Sequence, residues 1–400
     1  MIRLSRRSIL ASGGAALSGL SGVRANSFSK IDLWNNATGP HLRGTVIAQR
    51  RVYPEIDGPE FLGPGPVGSP VSDSALSSLS HVGANLVILS LPGTFSEAPP
   101  YHLDPAIEAH LDTMVQRCQQ AGLFVVIGFR TGPGRSSFTF HRDSAGSWFP
   151  ANMIDDSVWV SGEAQTGWER MWRRTARRFR GRSNIAGYCL MIEPNANQTA
   201  LDAYGNGLDE WDADRLAQRV SGTTADWPAL AKRLAGAIRE YDSETPILMS
   251  PDGYAHHSFS SLLDLDCESG IVLAVHDYSP RAYTHQSADS PINFVPGSGD
   301  FTPPIAERWM MGELGVSRWA PQADRYVLER TNALERAGAN WAFFRWDTGW
   351  RIHENQENRF NPVYGGNPEG RTPIPTNPMM QALEGQWSRN RLNPQLNLRP

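Results

Sequence analysis

Cysteine is scarce. Three occur in 400 residues, Cys118, Cys189 and Cys267. They show no CxxC spacing and no histidine pattern for zinc, so neither a disulfide framework nor a structural metal is expected. An exported chain could still join one pair and leave a thiol over. Cys189 lies inside an apolar run and reads as a small core residue. No internal repeat of about 20 to 50 residues is present, which excludes a solenoid. No GxGxxG opens a helix after the first apolar run, and no phosphate-cradling loop follows one, which argues against nucleotide binding. Cations are fewer than anions, 37 Lys and Arg against 41 Asp and Glu.

The first 25 residues, MIRLSRRSILASGGAALSGLSGVRA, resemble a twin-arginine export signal cleaved near Ala25. Their apolar stretch is short and broken by Gly and Ser, a poor membrane span. Removing them takes away four arginines and no acid, so the formal charge moves from −4 to −8. Such an acidic surface argues against a nucleic-acid partner. The expected partners are the export machinery and a neutral substrate, and the expected location is periplasmic or secreted.

What the chain has in quantity is aromatic side chains and short apolar runs. Thirteen Trp, ten Tyr and fifteen Phe suit either a core or a cleft lined with flat rings. The apolar runs are 44–49, 85–91, 123–129, 185–192, 246–250, 271–278, 308–314 and 340–346. Most are continuous, as in parallel strands covered on both faces. Amphipathic stretches alternate with them, at 105–121, 168–179, 228–241, 322–337 and 379–387. In the second of these, Arg173, Arg174, Arg177 and Arg178 interleave the apolar stripe and read as a solvated outer face. Eight strands alternating with helices predict a single-domain (β/α)₈ TIM barrel, with an open doubly wound sheet as the competitor. The expected layout is an N-terminal segment 26–41, a barrel domain 42–390 and a tail 391–400. The long Pro-, Gly-, Ser- and Asn-rich segments 51–72, 131–167, 194–226 and 279–304 follow strands. They should gather at the barrel's C-terminal face, where binding sites form.

The strand ends carry the chemistry. The third gives Arg130, the fourth Glu193, the sixth His276 and Tyr278, the seventh Glu313, the eighth Phe344 and Trp346. Two carboxylates facing one cleft suit glycoside hydrolysis, in which one gives a proton and the other acts as an anion. A lone Glu after an apolar run is more often an ion-paired loop residue. Two at matched strand ends, with His276-Asp277-Tyr278 between them, favour the catalytic reading. His276 and Tyr278 share a face of their strand, as do Phe344 and Trp346, which would floor the cleft with aromatic rings. Trp341, of opposite parity, reads as core. Trp148, Trp159, Trp319 and Trp350 lie in or near loops and are further candidate sugar platforms.

The stretches RFRGRSNIAGYCLMIEPN, IVLAVHDYSP, WMMGELGVS and GANWAFFRW, in this order and spacing, resemble glycoside hydrolase family 5, the cellulase family, over residues 42 to 390. The resemblance implies a (β/α)₈ barrel that cleaves β-linked glycans with retention and needs no cofactor. It implies Glu193 as acid/base, Glu313 as nucleophile, and His276 and Tyr278 as the His-x-Tyr of the sixth strand. Four positions depart from the family. Ile192 stands where an Asn usually contacts the sugar 2-hydroxyl. Ile88 or Ser90 stands where an Arg is usual, Arg130 where a His is usual, and Phe344 where a Trp is usual. Either the substrate differs at the carbon bearing that hydroxyl, or another donor such as Asn195 or Arg130 fills in, or activity is weak. Two rival readings are a barrel of weak or no activity that binds polysaccharide, and a barrel enzyme using carboxylates as metal ligands.

Overall fold

The computed structural model describes residues 29–57, 67–68, 71–199, 207–299, 304, 306–346, 359–370 and 372–397. The export-signal segment and Trp350 lie outside them. Eight strands close into a barrel: β1 Arg43–Ala48, β2 Leu86–Pro92, β3 Phe124–Thr131, β4 Ile185–Cys189, β5 Ile247–Met249, β6 Ile271–His276, β7 Trp309–Leu314 and β8 Asn340–Phe343. All pair in parallel and in chain order, with β8 returning to β1. Each expected apolar run supplies one strand. The fourth strand is shorter than its run, because the chain leaves the sheet after Cys189.

Helices α1 Asp73–His81, α2 Pro105–Gln120 and α3 Gly162–Phe179 follow the first three strands. α4 Ala213–Val220 and α5 Trp227–Arg239 follow the fourth, α6 Ala323–Arg336 the seventh and α7 Pro378–Trp387 the eighth. Their starts are written locally. Asp104 accepts from the N–H groups of Ala106 and Ile107 with Pro105 in the first turn, and Ser161 caps α3 through Ala164. After β5 and β6 the described residues form only short helical turns, Asp252–Ala255 and His257–Leu262 after the one and Arg281–Thr284 after the other.

Two cores result. One lies between sheet and helices. The other fills the barrel with Val46, Leu86, Ile88, Phe124, Val126, Leu248, Val272, Ala274, Met310 and Ala342. Leu33 and Trp34, from the segment preceding β1, belong to this inner core, and the Trp34 indole donates to the Ala186 carbonyl at 3.1 Å. Residues 30–34 thus pack into the barrel interior.

The tryptophans mostly serve this frame. The indoles of Trp168, Trp172 and Trp227 donate to the carbonyls of Pro133, Leu190 and Ser250, just beyond β3, β4 and β5. Two helices, α3 twice and α5 once, are thereby tied to the chain around the barrel mouth, where the sheet no longer satisfies backbone oxygens. The α3 arginines are not merely solvated. Arg174 pairs with Glu108 of α2, Arg178 with Asp112 of α2, and Arg173 with Glu240 beyond α5. The three cysteines are free.

Candidate active site

Inward-facing positions lead straight to the mouth. On β2, Leu86 and Ile88 are succeeded by Ser90; on β3, Val126 by Gly128 and Arg130; on β6, Val272 and Ala274 by His276. Strict alternation would turn Glu313 outward with Met311. A register shift in the pairing of β6 with β7 sets Val275 beside Met311 but His276 beside Glu313. A Cβ on Gly312 would stand 2.9 Å from His276 Nε2, so Gly312 faces inward as well. This bulge aims the Glu313 carboxylate into the cleft.

Glu193 arrives by a different break. Its φ is +51°, in the left-handed region that non-glycine residues rarely occupy. The kink puts the Ile192 side chain below, inside the barrel, and the Glu193 carboxylate above it. Ile192 is 2% exposed, among the apolar side chains of the inner core. Its Cδ1 lies only 2.7 Å from where a Cβ on Gly128 would stand, so the glycine makes room for it. Ile192 is thus a core side chain, and its substitution by Asn would bury an amide among Ile88, Val126, Leu248 and Met310. Ile192→Asn is expected to lower unfolding stability by about 2 to 4 kcal/mol, read by chemical denaturation, without raising activity.

Arg135, fully buried and absent from the sequence reading, holds the kink. Its guanidinium donates to the carbonyls of Arg130 (2.9 Å), Ile192 (2.8 Å) and Glu193, and to Asn195 Oδ1 at 3.1 Å. Asn195 is itself fully buried and also receives the Trp159 indole at 3.4 Å. The structure therefore places Asn195 behind the acidic residue, in the scaffold, and not in the cleft as a donor to substrate.

At the centre, Arg130 lies between the two carboxylates, 3.2 Å from Glu193 Oε2 and 3.7 Å from Glu313 Oε1. It reaches there over the small Ser90, 3.5 Å from its hydroxyl, with Phe140 stacked 4.1 Å from the guanidinium carbon. His276 Nδ1 is 3.0 Å from Glu193 Oε1 and 3.5 Å from Glu313 Oε2. The Tyr278 hydroxyl donates to Glu313 Oε2 at 2.8 Å. Glu313 Oε1 is buried with no hydrogen-bond donor.

The charges sort themselves accordingly. Burial works against an ionised Glu193, but Arg130, His276 and Arg135 outweigh it and hold the carboxyl at about 2. Burial and the neighbouring Glu193 charge push Glu313 above the usual range, against His276, Arg130 and Tyr278. His276 is raised: burial opposes its charged form, and the two carboxylates outweigh burial. Burial and the same anions push Tyr278 far up, so it remains a phenol that donates. The Arg130 cation therefore leans on Glu193, and a shared proton belongs to Glu313 and His276.

Glu193, His276 and Glu313 offer three ligand atoms within 4.8 Å of one another. A divalent cation there would meet the Arg130 guanidinium, whose charge opposes it. The donor set fits proton chemistry better than metal chemistry.

The aromatic floor differs from expectation. Phe344 is half-buried and meets Tyr278 and Phe360 edge-on, with ring centroids 6.3 and 5.7 Å away. His285 adds a further edge, 5.1 Å from Tyr278 and 5.0 Å from Phe360. Trp346 does not join them. β8 ends at Phe343, alternation stops there, and Trp346 turns outward onto Trp387 of α7 at 6.1 Å. Trp159 is fully buried, as is Trp341. Trp148 is half-buried among Phe138, Phe149 and His141. The Trp319 indole donates to the Gln286 carbonyl at 3.0 Å. Phe360, His285, Phe140 and Arg135 lie in loops without periodicity, and no strand-end rule could select them.

Comparison with known proteins agrees with this geometry. The model of the cellulase family, glycosyl hydrolase family 5, matches residues 66–349. A beta-xylosidase of Phanerodontia chrysosporium is 24% identical over 185 residues, 45% of this chain and 31% of that protein. The match thus spans about a third of that relative's length. Among solved structures, Thermotoga maritima Cel5A in complex with cellobiose, a mutant form, superposes with a TM-score of 0.57 at 16% identity, covering 90% of this chain and all of that one. Pseudomonas stutzeri endoglucanase Cel5A gives 0.57 at 16% identity, covering 89% and 97%. The barrel is shared with both. The family match spans well over half of the sequence, and the chain belongs to glycosyl hydrolase family 5, the cellulase family.

Proposed function

We propose that the protein is a retaining glycoside hydrolase acting on a β-linked glycan or glycoside. The observation that carries this is the pair of buried carboxylates, with oxygens of Glu193 and Glu313 within 4.8 Å. Retaining enzymes keep the two carboxyl groups about 5 to 5.5 Å apart, whereas inverting ones need a wider gap for water. Glu313, fixed by Tyr278, attacks the anomeric carbon. The glycosidic bond breaks as Glu193 gives its proton to the leaving oxygen. In the second step Glu193 takes a proton from water, and the water oxygen displaces Glu313 from the sugar. No cofactor enters either step.

For the first step Glu193 must carry a proton, yet Arg130 rests on it at 3.2 Å. A sugar seated between the carboxylates would take the place of that contact. The guanidinium, freed from Glu193, is then positioned to pair with the open Oε1 of Glu313 and to donate to the sugar hydroxyl that the family usually meets with Asn. Ile192, inside the barrel, cannot make that contact.

The same Arg130–Glu193 contact favours a second reading, a barrel that binds polysaccharide without cleaving it. One experiment separates the two. The protein lacking residues 1–25 is assayed on β-glucans, mannans, xylo-oligosaccharides and aryl β-glycosides, with binding measured in parallel and product anomers followed by NMR. Hydrolysis yielding first the β-anomer supports the retaining enzyme. The α-anomer would remove the Glu313 nucleophile, and binding without hydrolysis at high protein load would establish the second reading. We place the protein in the periplasm or outside the cell, on the twin-arginine pattern SRRSIL at residues 5–10. Replacing Arg6 and Arg7 by Lys should leave it in the cytoplasm on cell fractionation.

A further inference from the structure

The backbone that turns Glu193 into the cleft is held from two sides. β4 stands between β3 and β5 in the barrel, so the chain leaving β4 is flanked by the loops that leave those strands. From the β3 side, Arg135 takes the carbonyls of Ile192 and Glu193. From the β5 side, the buried Asp252 accepts the N–H of Asn197 at 3.3 Å and that of Gly253 at 2.8 Å. The Tyr254 N–H donates to the carbonyl of Pro194 at 2.9 Å. The segment from Ile192 to Asn197 is thus suspended between a buried cation and a buried carboxylate. Both polar atoms of the Asn197 side chain are buried without a partner. That residue is tethered through its backbone, its N–H on Asp252 and its carbonyl receiving the Glu210 N–H at 2.9 Å.

The second anchor is built on an unfavourable backbone. Gly253, Tyr254 and Ala255 have φ of 65°, 61° and 65°, three left-handed residues in succession, two of which carry a Cβ. Gly253 admits nothing larger, because a Cβ there would stand 2.5 Å from the ring of the buried Phe259. Such a turn persists only where its surroundings over-determine it. What it achieves is to bring Asp252 and the Tyr254 N–H together against residues 194–197. Charge links the two anchors. Burial and Arg130 pull the Arg135 guanidinium down to about 9, while Glu193 and Asp252 favour its charged form. Burial pushes the Asp252 carboxyl up to about 6, against the N–H groups it accepts and the Arg135 charge, so it is an anion at neutral pH. When Glu193 takes up the proton that it must donate, Asp252 remains as an anion that supports Arg135.

We propose that Asp252 is a positioning residue for the acid/base: across from Arg135, it fixes the segment that follows Glu193, so that this carboxyl is aimed at the leaving oxygen. The proposal rests on the reading of Glu193 as the acid/base. Asp252 touches neither substrate nor the reacting atoms. It acts through the N–H of Asn197 and through the charge of Arg135. A general acid works only within hydrogen-bond reach of the oxygen that it protonates. A displacement of about 1 Å in such a group can cost about 100-fold. Loss of Asp252 should therefore fall on the proton transfer, and leave the attack by Glu313, which other residues hold, largely as it was.

The test compares Asp252→Asn and Asp252→Ala with the parent protein and with Glu193→Ala. Asn keeps an oxygen for the two N–H groups and removes the charge, whereas Ala removes both. On oligosaccharides kcat/KM should fall roughly tenfold in Asp252→Asn and roughly 100-fold in Asp252→Ala. On aryl glycosides with acidic phenols it should fall less than about threefold in either. The second readout is the titration of Glu193, followed by NMR on protein with ¹³C-labelled glutamate carboxyls and assigned by the signal lost in Glu193→Gln. Removing a nearby anion would by itself lower the pKa of Glu193, whereas letting the carboxylate slip from Arg130 and His276 raises it. The midpoint should rise by about one unit or more in Asp252→Ala. Equal losses on both substrate types, or a midpoint in Asp252→Ala that stays or falls, would overturn the proposal and leave Asp252 as a part of the fold alone. Should Asp252→Ala fail to fold, Asp252→Asn decides by the same contrast between substrates. Should Glu193→Ala show no dependence on the leaving group, or the parent protein cleave no glycoside, the reading of Glu193 as the acid falls. The Glu193 midpoint then still supports or overturns the positioning by Asp252.

Discussion

Replacing Glu313 by Ala should lower kcat by about 10⁴ or more on every substrate that the parent protein cleaves. The reason is that no other group can form the glycosyl-enzyme bond. His276, the nearest basic side chain, is 3.5 Å from Glu313 Oε2, but its Nδ1 is directed at the two carboxylates. Tyr278 would lose its acceptor and remain a protonated phenol, since burial holds its pKa far above the usual value. Glu193→Ala should behave differently, because a general acid matters in proportion to the leaving group's need for a proton. On oligosaccharides, whose leaving alcohols are poor, the expected loss in kcat is roughly 10² to 10⁴. On aryl glycosides with acidic phenols, the glycosylation step should lose far less, and a burst of phenol should precede slow turnover, because breakdown of the glycosyl-enzyme now lacks its base. Steady-state and stopped-flow assays of the two variants on both substrate types would show the contrast. Near-parent turnover in Glu313→Ala, or identical losses for Glu193→Ala on good and poor leaving groups, would refute the assignment of roles.

How much of this was legible in the sequence depends on the kind of order that wrote it. The eight strands were legible because a parallel strand buried on both faces needs a continuous apolar run, and such runs are visible without a partner. So was the set Arg130, Glu193, His276, Tyr278 and Glu313, because residues that leave such runs must emerge at one rim. What alternation could not reach were the places where the strand breaks its own rule. The bulge at Gly312 turns Glu313 inward, and the left-handed φ of Glu193 drops Ile192 into the barrel; neither has a local pattern. Trp346 was misplaced for the converse reason: alternation was carried past Phe343, where the strand ends. Asn195 looked like a free donor beside Glu193, but the partner that buries it, Arg135, lies 60 residues earlier in a loop. The tryptophans show the same limit. Composition supported sugar stacking and core packing equally, and only the carbonyls that receive the indoles of Trp168, Trp172 and Trp227 distinguish frame from platform.

Arg130→Gln should move the pH profile of kcat/KM as well as lower it. The guanidinium faces both carboxylates, with His276 and Tyr278 on their other sides and Arg135 behind Glu193. Removing a positive charge favours the protonated form of every carboxyl near it, so both pKa values rise. With Glu193 held at about 2 and Glu313 above the usual range, the active form is a minor one in which the proton has moved to Glu193, and the limbs of the bell belong to the coupled pair. Both limbs therefore shift to higher pH. The whole bell moves alkaline, by roughly one unit or more per limb for a guanidinium at this distance. Its height should fall about 100-fold, because the variant loses the charged donor to a sugar hydroxyl whose contact strengthens in the transition state. Arg130→Lys keeps the charge but not the fork that spans two carboxylates, so it should restore the position of the bell better than its height. A residue that only packed against Ser90 and Phe140 would lower the height and leave both limbs where they were. A profile of that shape, with the fold intact by thermal melting, would show that Arg130 does not set the protonation of the pair, and the resting contact with Glu193 would then have no part in catalysis.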